Sequence, residues 1–321
     1  MTLTDTRPDT ALAELFGQIL EQTPPAHSGL DRALWDRLTE LGLTTITSVQ
    51  GGTWADAVTA LRALAEHGAQ LPLAEHDLLA NWLRRQAGLT VRDQPSTAVV
   101  VGGDDAVSHA TWLPYVEHVM VLRISGEKLY VSEHEPASLS AGTDREPGLP
   151  EEDAVDVDPG LFWEYRLRGA LARSAQISGA IASAVDLTIR YAGERVQFGR
   201  PIAAFQAVRH LAADAVAETA LAMTAVDAAA AAAERDGITA PGTVAAVATA
   251  KSVSTRAATV VVCNAHQVHG AIGTTAEHPL HRRTQPIGLW SQEFGSALEW
   301  ETFIADGLRR DHGSVWSWIC R

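Results

Sequence analysis

The sequence predicts a mainly α-helical protein with a small β module inserted between two helical regions. Apolar residues recur three and four positions apart over residues 8–90, and short β-branched runs replace that pattern over 95–156. Long, alanine-rich helical patterns then occupy the chain from residue 160. We therefore expect an N-terminal α-helical domain (1–92), a reduced β domain with an acidic linker (93–158) and a C-terminal long four-helix bundle (159–321).

In the N-terminal domain, Leu30, Leu34 and Leu38 follow the helical period. Glycines such as Gly42 and Gly68 interrupt the pattern and divide it into about four helices.

The β domain is indicated by "STAVVVGG", "VEHVMVLRISG" and "EKLYVSE", which have the composition of strands. Gly126-Glu127 predicts a hairpin tip between the last two. The region has room for about four to six strands of usual length. The acidic "GTDREPGLPEEDAVDVDPG" that follows predicts a linker.

In the C-terminal region, residues 161–195 and 202–236 each carry a continuous amphipathic pattern. A third helix is predicted from Pro241 to about His269, and a fourth, shorter one after Pro286. Helices this long favour antiparallel bundle packing. The run "AVDAAAAAAERDG" predicts close packing between helices or subunits.

Composition narrows the classes of partner. The 321 residues include 39 acidic and 25 basic side chains, with a formal net charge of −14. This balance disfavours nucleic acid and anionic membranes, although local positive charge can still receive a small anionic ligand. We expect no apolar run of membrane-spanning length and no export signal. Because Cys263 and Cys320 provide no disulfide or metal framework, we expect a cytoplasmic protein.

The stretch "YAGERVQFGRPIAAFQ" places a cation, an amide and an aromatic ring in a loop between two long helices. Arg195 offers a fork of donors that matches a pyrophosphate. Gln197 can hydrogen-bond a phosphate or adenine, Phe198 supplies a flat apolar wall, and Gly199 favours a turn. The alternative interpretation is structural: an arginine that complements a helix dipole beside a buried phenylalanine.

A second polar cluster, "HQVHGAIGTTAEHPLHRR", follows the third long helix. After Gln267 come Gly270 and Gly273, where the backbone can approach a ligand closely. The cluster contains four histidines: His266, His269, His278 and His281. Because neither the H-E-x-x-H pattern nor a flanking Cys or carboxylate pattern supports a metal site, we expect no metal and interpret the histidines as hydrogen-bonded or solvent-facing.

Together these stretches resemble the signature segments of the acyl-CoA dehydrogenase family. "YAGERVQFGRPIAAFQAVRHLAADA" is similar to its Arg-x-x-Phe-Gly segment and the following helix. "QVHGAIGTTAEHPLHRR" is similar to its Gln-x-x-Gly-Gly-x-Gly segment. The order of helices, β module and bundle also matches, and the resemblance is strongest over 160–283. It implies an acyl-CoA dehydrogenase-like fold.

The resemblance also implies an FAD-dependent oxidoreductase that dehydrogenates an acyl-CoA thioester at its α and β carbons. In this family a carboxylate takes the α proton, a hydride passes to the flavin, and the FAD lies across a subunit interface. By match, Arg195, Gln197, Phe198, Gln267 and Gly270 would contact the ADP half of a neighbour's FAD. A flavin-linked electron acceptor is a further implied partner.

The resemblance fails at the position of the catalytic base. Counting without gaps from Gly270, the family's base position holds Phe294. Glu293 is one residue early, about 100° away on a helix. A one-residue deletion upstream would bring it into register, so Glu293 stays a candidate base.

Other members of the family place the base on the first long helix. The corresponding residues here are Gly169 and Ala170, and neither is a carboxylate. Glu164 lies more than one helical turn away.

Two further departures concern the surroundings of the flavin. The family's Thr-Glu-Pro-x-x-Gly-Ser-Asp-like loop is missing, and Thr111-Trp112 precedes Leu-Pro rather than a strand of the Trp-Ile-Thr type. The second glycine of the Gly-Gly pair is Ala271. The chain thus retains the parts that a subunit provides to a neighbour's flavin and lacks parts that it would use for its own.

In this respect the chain resembles the short subunit of actinobacterial heteromeric (α2β2) acyl-CoA dehydrogenases, which pairs with a full-length homologue. The resemblance implies FAD shared across the interface, a base supplied by the partner, and a bulky acyl-CoA substrate such as a steroid side-chain CoA ester. Two alternatives stay open: a self-sufficient homomeric flavoprotein that uses Glu293 as base, and an inactive scaffold subunit without flavin.

Overall fold

The N-terminal region folds into helices in the order that the sequence predicts. The computed structural model describes residues 10–23, 29–102, 111–140 and 154–310. The helices of this region are α1 (Thr10–Gln22), α2 (Arg32–Glu40), α3 (Trp54–His67) and α4 (Trp82–Gln86), and a π-helix (Ala74–Asn81) leads directly into α4. Side chains and glycine fix the ends of α3, because Thr53 and Asp56 form a capping box and Gly68, with φ of 67°, terminates it.

The π-helix is entirely buried although four of its eight residues are polar. The Asp77 carboxylate accepts four hydrogen bonds from the backbone and hydroxyl groups of Thr47 and Ser48. The His76 ring bonds to the Ser96 hydroxyl at 2.8 Å. Since buried polar groups are costly unless they are paired, these bonds fix the π-helix against both the loop between α2 and α3 and the sheet.

The β domain is a four-stranded sheet in the order β1-β2-β3-β4. Its strands are β1 (Ser96–Val101), β2 (His118–Ser125), β3 (Lys128–His134) and β4 (Val155–Val157), with a short helix α5 (Pro136–Ser140) after β3. β1 and β2 are parallel, and the other neighbours are antiparallel. The predicted hairpin tip is confirmed, because Ser125 pairs with Lys128 and Gly126 between them has φ of 60°.

The predicted acidic linker needs correction at its end. Val155–Val157 forms β4 and pairs with β3, whereas residues 141–153 of the same segment lie outside the described residues. A three-residue strand with an acidic centre is too short to show a period of two. The carboxylate of Asp156 lies 3.2 Å from the Lys128 amine across the pair.

The C-terminal region contains five α-helices among the described residues. They are α6 (Gly160–Glu194), α7 (Gln206–Asp236), α8 (Pro241–His269), α9 (Leu280–Trp290) and α10 (Ala297–Arg310), and the two-residue strands β5 (Val196–Gln197) and β6 (Arg200–Pro201) lie between α6 and α7. The predicted α6, α7 and α8 are confirmed. The predicted fourth helix is wrong in its start, because Pro286 lies inside α9. There its ring removes one backbone hydrogen bond without ending the helix, while buried Leu280 and Ile287 hold α9 in place.

The 35-residue helix α6 is central to the packing. Helices α3, α7, α8 and α9 and the π-helix all contact it. Four residues of the alanine run are buried: Ala229, Ala230, Ala232 and Ala233. Their small side chains let α7 approach its neighbours closely, as the composition predicts.

By length and composition, one described helix, α7, could cross a membrane. This corrects the expectation that no apolar run reaches that length. One third of its apolar stretch is buried within this chain, and α7 packs against α8 and α6. Because core helices pass the same test, one such helix is weak evidence for a membrane span.

We expect His76 to make stability depend on pH. Burial, followed by the charge of Arg84, lowers the pKa of His76 from 6.5 to about 3. A lowered folded-state pKa means that the stabilising contribution is complete above the unfolded value and is lost as the pH falls. Between pH 6.5 and 4.5 the free energy of unfolding should therefore decrease by about 1.4 kcal/mol per pH unit from this group.

Urea denaturation at several pH values tests this. His76→Gln should be less stable at pH 7 and should show a shallower pH dependence below pH 6.5. His67→Gln, which changes a half-buried histidine at the end of α3, serves as the control. Equal slopes for the wild type and His76→Gln would contradict the prediction.

Candidate functional site

A tight hairpin follows the end of α6. The N–H of Arg195 donates to the Tyr191 carbonyl at 2.8 Å and closes the helix. β5 and β6 then pair around Phe198 and Gly199, whose φ values are 53° and 77°. Two consecutive positive φ angles are typical of a type I′ hairpin turn. The turn holds the Phe198 side chain 91% exposed, so the alternative of a buried phenylalanine anchor does not apply within this chain.

The end of α8 presents bare backbone on the surface. Gly270 is exposed, has φ of 63°, and its N–H donates to the His266 carbonyl. A Cβ added at Gly270 would meet nothing within 4 Å, so this backbone is open to a ligand or partner. Ala271 continues into a short 3₁₀-helix (Gly270–Thr274).

The hairpin and the end of α8 meet at an open concave surface of about 290 Å³. Three predicted residues, Gln197, Phe198 and Gln267, line it together. The rest of the lining is apolar: Ile202, Phe205, Ala207, Val208, Leu211 and Val268. Arg195 and Gly270 flank this lining in the chain without belonging to it. We call it the amide surface, because its two amide side chains lie on an apolar floor.

The predicted base position is filled by an aromatic ring. Phe294 is 6% exposed and lies against α6 at Gly169, where an added Cβ would be only 2.2 Å from the ring. The Tyr165 ring contacts it edge-on, with centroids 5.6 Å apart. The two positions that the resemblance predicts for a base, Phe294 and Gly169, thus contact each other here, and neither is a carboxylate.

Glu293 lies beside this ring but is held in an ion pair. It is 1% exposed and accepts a hydrogen bond from the Nε of Arg173 on α6. The same guanidinium donates to Glu75 of the π-helix at 2.5 Å and to Gln176 at 2.6 Å. Burial alone would lower the pKa of Arg173, but the two carboxylates outweigh it and raise that pKa. Glu293 lines neither the amide surface nor the second cavity described below.

A buried lysine, Lys251, holds the start of the loop between α9 and α10, which carries Glu293 and Phe294. The Nζ of Lys251 donates to the carbonyls of Trp290 (2.6 Å) and Ser291 (3.0 Å), where α9 ends. Burial, followed by the charge of Arg173, lowers the pKa of Lys251 to about 7. Sequence patterns did not identify Arg173 or Lys251 as site residues. The available signal was a charge on the buried stripe of a long helix.

A second, polar cavity of about 380 Å³ lies between the α2–α3 loop and α6. The Arg168 guanidinium lines it, stacked over Trp82 and Trp54 with centroids 4.5 and 5.2 Å away. Glu164 pairs with Arg168 at 3.0 Å, so this carboxylate is already occupied. Across the described ranges, no group of three or more His, Cys, Asp or Glu side chains is placed to hold a metal ion.

Comparisons with known proteins decide the family. A family model described as the C-terminal domain of acyl-CoA dehydrogenase matches residues 167–288. Acyl-CoA dehydrogenase IpdE2 of Mycobacterium tuberculosis is 30% identical over 305 residues, covering 90% of this chain and 88% of that protein. The chain belongs to the acyl-CoA dehydrogenase family. The predicted enzyme class, an FAD-dependent dehydrogenase, is thereby confirmed at the level of the family.

Solved structures confirm the predicted fold. A chain of the ChsE4-ChsE5 complex from Mycobacterium tuberculosis matches with a TM-score of 0.79 at 20% identity, covering 96% of this chain and 99% of that one. The Tcur3481-Tcur3483 steroid ACAD, as its G363A variant, also gives 0.79, at 22% identity, with 95% and 98% coverage. At these identities the likeness concerns the fold alone.

The contact between Gly169 and Phe294 predicts that adding a side chain at Gly169 lowers the stability of the protein. Gly169→Ala should destabilise the protein by about 1–3 kcal/mol or more, because overpacking a buried contact forces the ring or the backbone to move. The control is Gly193→Ala on the same helix, where an added Cβ meets nothing within 4 Å. That change should stabilise by roughly 0.5–1 kcal/mol, since alanine favours the helix.

Urea denaturation of both variants measures the difference. Combining Phe294→Ala with Gly169→Ala should cost less stability than the sum of the two single variants, because the added Cβ no longer meets the ring. If the two glycine variants have the same stability, the ring does not occupy the space above Gly169.

Proposed function

We propose that this chain is the FAD-site-completing subunit of a heteromeric acyl-CoA dehydrogenase. It joins a full-length acyl-CoA dehydrogenase homologue in an α2β2 assembly and contacts the ADP half of an FAD shared across the interface. The catalytic base comes from the partner. The contact of Phe294 with Gly169 carries the proposal, because an apolar ring fills the place where family members hold the base.

The geometry disfavours Glu293 as an alternative base. A general base must reach the proton that it removes, directly or through one water. The Glu293 carboxylate is instead buried against Arg173. Moving it towards a substrate would leave the Arg173 guanidinium with one fewer carboxylate in the protein interior, which is costly.

The exposed residues support a cofactor role and disfavour a scaffold without flavin. The amide surface offers an aromatic ring and two amides, which suit adenine and sugar or phosphate oxygens. Arg195 is exposed beside it and suits a pyrophosphate. Because this surface is open, it covers only one side of a ligand, and a second chain would cover the other.

Within such an assembly, the bound FAD supplies the hydride acceptor for α,β-dehydrogenation. This chain's residues bind and orient the ADP end, and the partner's base takes the α proton of the acyl-CoA. The matched ChsE4-ChsE5 complex and Tcur3481-Tcur3483 steroid ACAD support a heteromeric enzyme acting on a steroid side-chain CoA ester. A flavin-linked electron acceptor completes the cycle.

Flavin content tests the shared site. Purified alone, this chain should carry no flavin, whereas its complex with a full-length homologue should carry one FAD per pair of chains. Arg195→Ala should weaken FAD binding by about tenfold or more, since a charge-assisted hydrogen bond contributes about 1.5–3 kcal/mol.

Absorbance and fluorescence titration of the complex measure both quantities. Arg235→Ala is the matched control, because Arg235 is also exposed and lies at the far end of α7, where it pairs with Asp236. A flavin-loaded lone chain that oxidises an acyl-CoA would refute the proposal.

Replacing Glu293 tests where the base resides. In the complex, Glu293→Gln should leave kcat within about threefold of the wild type, whereas loss of a general base lowers rates by about 10²–10⁴-fold. Glu75→Gln is the matched control, since Glu75 also pairs with Arg173. A hundredfold loss in Glu293→Gln alone, with thermal stability equal to that of Glu75→Gln, would show that Glu293 is the base.

A further inference from the structure

Three aromatic rings from three segments pack together beside the amide surface. The Tyr191 ring on α6 stacks on the His269 ring at the end of α8, with centroids 4.5 Å apart and planes at 21°. The His278 ring, from the segment before α9, lies 4.5 Å from His269 at 60° and 6.0 Å from Tyr191. We call Tyr191, His269 and His278 the ring stack.

The ring stack lies at the base of both segments that build the amide surface. Tyr191 accepts the hydrogen bond from the N–H of Arg195, from which the hairpin starts. His269 is the last residue of α8 and directly precedes Gly270. Contact between these two rings therefore fixes the spacing between the hairpin that carries Gln197 and the helix end that carries Gln267.

One nitrogen of the stack is buried without a hydrogen bond. The Nδ1 of His269 lies 2.8 Å from the Ala265 carbonyl, so Nδ1 carries the proton and Nε2 is an acceptor. His269 is 4% exposed, and its Nε2 has no hydrogen-bond partner among the described residues. Protonation would place a buried cationic N–H there without an acceptor, which is strongly unfavourable.

The charged groups that shift the pKa values of the two histidines in the ring stack are basic. Burial, and then His278 and His266, lower the pKa of His269 despite the opposing hydrogen bond to Ala265. Burial also lowers the pKa of His278, and the basic groups that add to this come from α6 and α9: Arg190, His281 and Arg283. Glu277, next to His278 in the chain, is exposed, so solvent screens its charge.

The sign of the pH effect follows from these lowered pKa values. The neutral stack is fully stable above the ordinary histidine pKa of about 6.5 and loses stability as the pH falls towards the folded-state value. Mild acid therefore acts against the contact that spaces the two segments.

We propose that the ring stack is a positioning element for the amide surface and that protonation of its histidines releases it. The proposal rests on the amide surface being the nucleotide site proposed above. On acidification, a proton on His269 Nε2 separates the rings, and the hairpin and the end of α8 lose their fixed spacing. Nucleotide contact then weakens at acid pH while the rest of the fold stays intact.

Hydrogen exchange followed by mass spectrometry tests this on the full chain and on its complex with the homologue. At pH 5.5 relative to pH 7.5, corrected for intrinsic rates, exchange over 195–200 and 267–274 should rise at least tenfold more than over β2 and β3. In His269→Phe, which keeps an aromatic ring but cannot titrate, this excess should disappear.

His67→Gln is the matched control. His67 also ends a helix, bonds through Nδ1 to the carbonyl four residues earlier and precedes a glycine of positive φ, but it has no ring partner among the described residues. It should keep the wild-type pH response. If His269→Phe does not fold, His278→Phe replaces it in the test. It also substitutes a non-titrating ring for a histidine of the stack and should reduce the wild-type pH response.

Two results would overturn the inference: the same excess exchange in both phenylalanine variants as in the wild type, or no excess in the wild type.

Calorimetric titration of the complex with ADP, after removal of FAD, separates this inference from the proposed function. ADP affinity in the wild type should fall at least tenfold from pH 7.5 to 5.5, and equal affinity also overturns the inference. No ADP binding at either pH would refute the proposed nucleotide site, while hydrogen exchange still decides whether the stack positions the two segments.

Discussion

A single buried guanidinium, that of Arg173, joins three parts of this protein. From the middle of α6 it bonds to Glu75 in the π-helix and to Glu293 in the loop between α9 and α10. Inside a protein, a charge without a partner is far more costly than a pair, so removal of Arg173 would leave the two buried carboxylates uncompensated. This requirement fixes the π-helix, the central helix and the loop in one arrangement.

The loop between α9 and α10 is held at further points, and this explains its backbone. Lys251 bonds the last carbonyls of α9, and the indole nitrogen of Trp300 donates to the Phe294 carbonyl at 3.0 Å. Phe294 has φ of 57°, which non-glycine residues rarely adopt. Such a conformation persists where surrounding contacts fix it, and here they direct an apolar ring towards Gly169.

Phe198 provides the contrast. It is the other non-glycine residue with positive φ in the described chain, yet its ring is 91% exposed. Burial of an aromatic side chain contributes about 1.5–3 kcal/mol, which can offset the backbone cost of about 1–3 kcal/mol. Phe294 gains this within its own chain, whereas Phe198 could gain it only from a ligand or a second chain. A closed base position and an open amide surface are what the proposed shared site requires.

Local sequence determined the helical domains, the hairpin at Gly126 and the extents of α6, α7 and α8, because periodicity and turn residues act over a few positions. It also placed Gln197, Phe198 and Gln267 near helix ends, but it left open whether the Phe198 ring is buried or exposed, and the tertiary structure decided this. Local sequence did not predict the three-residue β4 or the start of α9, since both depend on pairing or packing with distant residues. Only the tertiary structure decided the roles of Arg173 and Glu293, 120 residues apart in the chain. Only the tertiary structure, likewise, brought the Phe294 ring onto Gly169. Such contacts arise from how α6 and the α9–α10 loop pack, and no local pattern encodes them.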